Sequence, residues 1–169
     1  FYKNLCKNQP EYTLSTGNSN LEITKKHIFQ LSNNFERQGL LKKVCQPKFL
    51  IVGSNKCGTT SLYHYLVKHP NVLPASTREI GYFNGKYNLG SEWYFSQFPF
   101  LCDGRDFMSG EATPSYLYHT ETPTRIATTL ADVKIIILIR NPVDRSVSFY
   151  NYSVQNYKET RSIEDFFLS

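Results

Sequence analysis

The sequence predicts an α/β fold built on a parallel sheet, on three observations. Residues 48–53 form a short, continuous apolar run, the pattern of a buried strand of a parallel sheet, and residues 133–139 are a second strongly apolar run. Each run passes at once into a short loop and then into a helical pattern. The first of those loops carries two glycines around a lysine, Gly53-Ser54-Asn55-Lys56-Cys57-Gly58, immediately ahead of Thr59-Thr60.

Taken in order, residues 1–20 are polar, rich in Asn, Ser and Thr, and read as a loose lead-in. Between 21 and 38, Ile28, Leu31 and Phe35 recur at helical spacing, with Gly39 as a stop and Pro47 separating this helix from the first apolar run. Two regions result, a lead-in or stem over 1–47 and a domain over 48–169. In the domain, the strand at 48–53 leads through Ser54–Gly58 into a helix over 59–68, with Leu62, Tyr65 and Leu66 on one face and His69-Pro70 as its stop. Residues 107–111 form a weaker strand candidate, ended by Thr113-Pro114. The strand at 133–139 ends at Arg140, Asn141 is placed to N-cap the next helix, and Pro142 suits its first position. Val143, Val147, Tyr150 and Val154 give that helix a stripe expected to face the core.

Composition bounds the function. Hydrophobic residues make up 40% and charged residues 20%, enough for a buried core. The longest apolar run, Ile135 to Ile139, is far short of the ~20 residues of a membrane span, and no leader pattern opens the chain. The whole net charge of +5 falls in residues 1–48, and the remainder is neutral. A nucleic-acid-binding face would cluster Lys and Arg in the domain itself, so nucleic acid is not an expected partner. The lead-in is a solvated basic segment, or a surface for an acidic polysaccharide. Cys6, Cys45, Cys57 and Cys102 lack the spacing of a zinc or redox motif, and the four histidines lack metal spacing. No metal is expected.

Three segments carry chemistry. The glycine loop between strand and helix can cradle an anion with its backbone N–H groups and the helix N-terminus. The nucleotide-triphosphatase loop sets its lysine directly after the second glycine; here Thr59 holds that place and Lys56 comes earlier, which argues against an ATPase or kinase. Arg140, at the end of the second strand, can fork onto a phosphate, and Ser148 on the next helix can add a hydrogen bond. The third segment, Thr77-Arg78-Glu79-Ile80-Gly81-Tyr82-Phe83-Asn84, sets a carboxylate ahead of Tyr82, Phe83, Trp93 and Tyr94, aromatic faces that suit sugar rings.

Residues 48–60, with Ser61-Leu62-Tyr63 and His69-Pro70, resemble the 5′-phosphosulfate loop of sulfotransferases, which use 3′-phosphoadenosine 5′-phosphosulfate (PAPS). The Lys-x-Gly-Thr-Thr form is similar to that of the heparan sulfate N- and 3-O-sulfotransferases and their bacterial and protist relatives. Ile137 to Arg145, with Ser148 and Tyr150, resembles the family's 3′-phosphate motif. The resemblance implies a P-loop-like three-layer fold, with Lys56 and the N–H groups of Cys57, Gly58, Thr59 and Thr60 on the phosphosulfate. It puts Arg140 and Ser148 on the 3′-phosphate and Glu79 in the role of general base. The segment Gly110-Glu111-Ala112-Thr113-Pro114-Ser115-Tyr116 also resembles a family segment near the acceptor cleft; Glu111 there either orients Lys56 or the substrate, or caps a turn. Tyr152 stands where some N-sulfotransferases have histidine, which takes support from that subclass. Asn151-Tyr152-Ser153, a glycosylation sequon by pattern, is read as incidental on this helix.

The resemblance covers about 48–167. It implies that the family's domain continues past this stretch, through a Gly/Lys-rich loop over the nucleotide, so that the chain is expected to be the N-terminal part of the domain. The expected activity is sulfuryl transfer from PAPS to a hydroxyl or amine, most naturally of a glycan. The alternatives are a non-catalytic nucleotide-binding fragment and a sulfotransferase with a non-glycan acceptor. An animal-type member would work in the Golgi lumen and a bacterial one in the cytoplasm.

Overall fold

The computed structural model describes residues 46–99 and 107–168. The helix expected over 21–38, and with it most of the lead-in, lies outside the described residues, as do Cys6, Cys45 and Cys102. Four strands, β1 (Phe49–Gly53), β2 (Val72–Pro74), β3 (Met108–Ala112) and β4 (Lys134–Ile137), form one sheet in the order β2-β3-β1-β4. Every pairing is parallel: Leu50 stands opposite Glu111 on one side and Ile135 on the other. The expected α/β architecture is present, with β1 at its centre and buried throughout.

Alternate residues of β1 feed opposite faces of the sheet, as strand geometry requires. Phe49 and Ile51 pack with Tyr63, Val72 and Ala112 beneath α1 (Thr59–Lys68). Leu50 and Val52 pack on the other face with Ile80, Tyr82, Phe83, Tyr94, Phe98 and Tyr116, and with Ile126 and Leu130. Layers therefore lie on both sides of the sheet. Helix α1 starts at Gly58, whose φ of 87° is open to glycine at little cost, and ends at His69, whose N–H bonds the Leu66 carbonyl. Its buried face uses Tyr63 with Leu62, Leu66 and Val67. Tyr65, expected on that face, is exposed; Tyr63 takes the inward place, and its hydroxyl accepts the Ala75 N–H at 3.0 Å.

Between β2 and β3 the chain makes a π-helical turn (Tyr82–Lys86), a 3-10 turn (Tyr87–Leu89) and α2 (Gly90–Phe95). Here the structure corrects the expectation of sugar-facing aromatics. Tyr82 stacks on Tyr94 at 4.5 Å between ring centroids, Phe83 meets Tyr94 and Tyr116 edge-on, and all four are buried. Of the segment's named aromatics only Trp93 is partly exposed. A second 3-10 turn (Pro114–Tyr118) follows β3 and leads to α3 (Thr122–Thr129), which the sequence pattern did not announce. Its signal is thin: Pro123 in the first turn, then only Ile126 and Leu130 as buried apolar residues.

On the far side of β1, β4 is shorter than the apolar run that encodes it, and it is largely exposed. Ile139 is 89% exposed. The following α4 (Pro142–Tyr157) starts as expected, with Asn141 Oδ1 accepting the Val143 and Asp144 N–H groups at 2.9 and 3.4 Å. The stripe on α4 is a correction: Val143 is 69% exposed, Val147 and Val154 are exposed too, and only Ser153 is buried. As the edge strand, β4 pairs with β1 alone, and among the described residues no layer lies over α4's stripe. A short α5 (Ile163–Leu168) packs Phe166 against Phe149 and Tyr150.

Candidate active site

In an open parallel sheet the ligand crevice lies beyond the carboxyl ends of the strands, where the strand order reverses. Here the chain runs from β1 outward to β2, returns to β3, and crosses to β4 on β1's other side. The ladder between β1 and β4 continues past both strands, with Ser54 N donating to Leu138 O at 2.9 Å and Leu138 N to Gly53 O at 2.8 Å. The glycine loop and the segment entering Arg140 therefore emerge side by side. Arg140 Nη1 donates to the Lys56 carbonyl at 3.3 Å, across 84 residues of sequence.

The loop's glycines have separate reasons. A Cβ at Gly53 would meet Leu117 Cβ at 2.8 Å and the Pro114 carbonyl at 3.1 Å. Gly58 has open space around it but a left-handed backbone. Cys57 N–H is taken by Ser54 O at 3.2 Å, and Leu62 N bonds Gly58 O at 3.0 Å. Helix amides ahead of Leu62 lack intrahelical acceptors, so Gly58, Thr59 and Thr60 offer donors to an anion. Lys56 itself has φ 66°. A left-handed conformation costs a side-chain-bearing residue about 1–2 kcal/mol, and strain of this kind concentrates where function demands it. Among the described residues only Lys56, Glu79 and Lys158 share it outside glycine.

The loop opens on a cavity of about 430 Å³ lined by Lys56, Arg140, Asp144, Ser148, Asn151 and Tyr152, among others. The residues from α4 lie at helical spacing on one face, so the Asn141 cap sets their common orientation. The structure thus brings Lys56, Arg140 and Ser148 together. Lys56 Nζ sits 4.3 Å from the centre of the Tyr152 ring, within range of a cation–π attraction. The Tyr152 hydroxyl is pushed above its usual range, first by its hydrogen bond with Tyr157 and, more weakly, by the charge on Glu79. Asn151 of the sequon stands in the cavity wall while Ser153 is buried.

Glu79 lies outside that lining but within electrostatic reach of Tyr152. It is exposed, has φ 55°, donates its N–H to Ala112 O at 3.1 Å, and has Arg78 Nε 4.0 Å from its carboxylate. Its loop is held from several sides: Lys86 Nζ donates to Ile80 O and Arg125 Nη1 to Phe83 O, both at 2.9 Å.

Of the roles expected for Glu111, the bonds it makes are those to the turn that follows β3, not to Lys56. It is fully buried on β3, and neither Lys56 nor the cavity touches it. Tyr94 and Tyr116 hydroxyls donate to its Oε1, each at 2.9 Å, and Thr113 Oγ1 donates to its Oε2 at 2.7 Å. Burial raises its pKa, opposed by the bonds from Thr113, Tyr116, Tyr94 and the Ile80 N–H. The Tyr94 and Tyr116 hydroxyls are driven far above the usual phenol range by burial and the facing carboxylate. Sequence reasoning missed Tyr94, Tyr116 and Tyr118 as a group; the segment from Gly110 to Tyr116 was the available signal. Among the described residues, no group of three or more His, Cys, Asp or Glu is placed to hold a metal.

A family model described as the sulfotransferase domain matches residues 46–169. The chain belongs to the sulfotransferase domain family. It is 44% identical over 124 residues to the membrane-associated sulfotransferase kil1 of Dictyostelium discoideum, covering 72% of this chain and 26% of that protein. It is 41% identical over 104 residues to human heparan sulfate glucosamine 3-O-sulfotransferase 6, covering 62% of this chain and 30% of that one. With the mouse bifunctional heparan sulfate N-deacetylase/N-sulfotransferase 4 it shares 35% over 119 residues, 66% of this chain and 14% of the relative. The crystal structure of a sulfotransferase from Alicyclobacillus acidocaldarius superposes with a TM-score of 0.61 at 32% identity, covering 72% of this chain and 56% of that one. The matched stretch is therefore a minor part of each of these three relatives and just over half of the bacterial chain. The sulfotransferase domain described here shares with that neighbour a parallel-sheet α/β fold.

Proposed function

We propose that the sulfotransferase domain serves sulfuryl transfer from PAPS to a hydroxyl or amine of a glycan, of the glucosaminyl heparan sulfate type. One observation carries the reading: the β1–β4 pairing brings two elements with the chemistry to bind anions, the Lys56 loop and the Arg140–Ser148 pair, onto one cavity. A donor with phosphate groups at both its 5′ and 3′ positions needs two such elements at a fixed separation. The acceptor class is supported by the relatives whose names specify heparan sulfate.

In this reading the free amides of Gly58, Thr59 and Thr60 hold the 5′-phosphosulfate, with Cys57 supplying loop geometry more than a donor. Arg140 and Ser148 hold the 3′-phosphate. Sulfuryl transfer, like phosphoryl transfer, spreads charge over equatorial oxygens, so positioning and electrostatics dominate. Glu79 takes the acceptor's proton as its oxygen or nitrogen attacks sulfur in line. The bond from sulfur to the bridging phosphate oxygen breaks, and its electron pair leaves with adenosine 3′,5′-bisphosphate. Lys56 neutralises charge gathering on that bridging oxygen and on the sulfuryl group. Its ammonium lies over the Tyr152 ring, and both residues line the cavity.

The test is to incubate the full-length protein with ³⁵S-labelled PAPS and a panel of desulfated heparan sulfate, other glycans, tyrosine peptides and small alcohols. Label is expected in the heparan sulfate fraction. Label confined to peptides or alcohols would overturn the acceptor assignment, and label in none of them the enzymatic reading.

A further inference from the structure

The Glu79 loop is attached to the rest of the molecule in an unusual way. Glu79 N–H bonds Ala112 O at 3.1 Å, Gly81 N–H bonds Thr113 Oγ1 at 3.3 Å, and Tyr82 and Phe83 N–H bond the Tyr116 hydroxyl at 2.9 and 3.4 Å. The Ile80 N–H faces Glu111. Five consecutive amides are thus accepted by residues 111–116 alone, and Asn84 Nδ2 adds a bond to Ser115 Oγ at 2.8 Å. Glu79 and Gly81 are both left-handed, and Tyr82 and Phe83 open the π-helical turn, so none of these amides has an acceptor within its own segment.

The same segment holds the donor loop. The Tyr118 hydroxyl accepts the Asn55 N–H at 3.1 Å and bonds Ser54 Oγ, and Leu117 lies against Gly53 closely enough to exclude a Cβ there.

Glu111 explains why the hydroxyls face as they do. A hydroxyl has one proton and two acceptor lone pairs. Tyr116 spends its proton on Glu111 Oε1 and Thr113 spends its own on Oε2, so both turn lone pairs to the amides of the loop. The buried carboxylate has no contact with the cavity and yet dictates how the Tyr116 and Thr113 hydroxyls meet the Glu79 loop.

We infer that residues 111–118 form a bracket that fixes the Glu79 carboxylate relative to the phosphosulfate cradle, with Glu111 as a positioning residue that orients the Tyr116 and Thr113 hydroxyls. The functional part of this inference rests on the reading of Glu79 as the base. The bracket's two arms are Tyr116, toward the base, and Tyr118, toward the donor. Tyr94 is the internal control: its hydroxyl bonds the same Glu111 oxygen as Tyr116 but, among the described residues, meets no amide of either loop.

The experiment compares Tyr116→Phe, Tyr118→Phe and Tyr94→Phe in the full-length protein. Three quantities are read: hydrogen exchange at amides 81–83, single-turnover transfer from PAPS to desulfated heparan sulfate, and the Kd for adenosine 3′,5′-bisphosphate. Tyr116→Phe should speed exchange at Tyr82 and Phe83 by at least ~10-fold, as expected when buried amides lose their acceptor and open locally. It should lower the transfer rate by about 10- to 100-fold, the scale of a misplaced catalytic group, with Kd unchanged. Tyr118→Phe should weaken bisphosphate binding about threefold to tenfold, on the scale of one lost hydrogen bond, and leave exchange at 81–83 as it was. Tyr94→Phe should do neither, even where its melting temperature falls as far as that of Tyr116→Phe. Equal exchange and equal transfer in the Tyr116 and Tyr94 variants would overturn the bracket, leaving only a buried network that supports the fold. Combining Tyr116→Phe with Glu79→Gln separates the two readings. If Tyr116 acts through Glu79, the double variant transfers no more slowly than Glu79→Gln alone. If Glu79→Gln transfers at the wild-type rate while exchange in Tyr116→Phe rises, the bracket stands and the base is misassigned.

Discussion

On the β3 side of β1, large side chains and polar groups are enclosed together. Phe83, Tyr94 and Glu111 are fully buried, and the carboxylate has donors on both oxygens. On the β4 side, Ile137, Ile139, Val143 and Val147 are exposed, and Arg140 makes one long bond to a backbone carbonyl. The proposed base therefore stands on a loop whose amides are accounted for one by one, while the proposed 3′-phosphate ligands stand on an open edge. The difference teaches that position is specified in two ways in one molecule: by an interlocked polar network on one side, and by strand register and a helix cap on the other. Substitutions should accordingly couple chemistry to stability on the first side and leave them uncoupled on the second.

The largest expected effect is on the enclosed side. Glu79→Gln keeps shape and hydrogen bonding and removes proton acceptance, so single-turnover transfer should fall by about 10²–10⁴ while PAPS affinity stays within a few-fold. Glu111→Gln, tested in parallel, should lose less in rate and more in melting temperature. A dead Glu111→Gln with an active Glu79→Gln would reverse the two roles. Next comes Lys56→Ala, expected to slow transfer by about 10²–10³, the scale for one lost transition-state donor. Bisphosphate binding should change less, because the loop amides remain; a fully active variant would show that the lysine is misread.

The open side gives the cleanest break in the comparison. Arg140→Ala should weaken adenosine 3′,5′-bisphosphate binding by roughly 10- to 150-fold in calorimetry, from a charged bond worth ~1.5–3 kcal/mol. AMP binding should not change, and stability should stay within about 0.5 kcal/mol, as for other exposed positions. A large loss of stability would mean that Arg140 is a structural tie and the two sides are not uncoupled.

The smallest effect is a titration. Burial raises the Glu111 pKa against the bonds from Thr113, Tyr116 and Tyr94. A carboxyl held above its unfolded value, near ~4.3, keeps its proton longer in the folded state. Its stabilisation is complete below the unfolded pKa and lost as pH rises through the folded one. Denaturant midpoints of the wild type relative to Glu111→Gln should therefore decline as pH rises from about 4 and level off above the folded pKa. A difference that grows with pH would show that the hydroxyl bonds outweigh burial.

What was legible in the sequence was what is encoded locally. The apolar run, the glycine loop and the threonines of residues 48–60 are contiguous, so strand, cradle and helix could be read together. Asn141 and Pro142 mark a helix start by their own chemistry, and the cap forms as expected. Burial was less legible. Tyr63 and Tyr65 differ only in which side of one helix they occupy, and Tyr82 and Tyr94 suit a sugar-binding wall as well as a core until their stacking is known. Val143, Val147 and Val154 form a real stripe, yet a stripe does not say what lies against it. The part played by Glu111 was hidden for a different reason: its partners come from α2, from the turn after β3 and from a loop some thirty residues upstream, and only the sheet register brings them to one carboxylate.

That register also dictates an order of assembly. β1 is made first and its neighbours late: Leu50 waits about 60 residues for Glu111 and about 85 for Ile135, or roughly 4–17 s for the latter at ~5–20 residues per second of synthesis. Until β3 emerges both edges of this apolar strand lack a partner, and from then until β4 emerges one edge still does; such non-local parallel pairing is slow to nucleate. The cradle residues are translated early, but the Lys56 loop gains its Leu138 and Arg140 neighbours only after β4 has emerged. A nascent chain arrested before β4 would carry the glycine loop in its sequence and still lack the second wall of the donor site. The wait of β1 for its neighbours is therefore set by topology, and it falls on the five residues from Phe49 to Gly53.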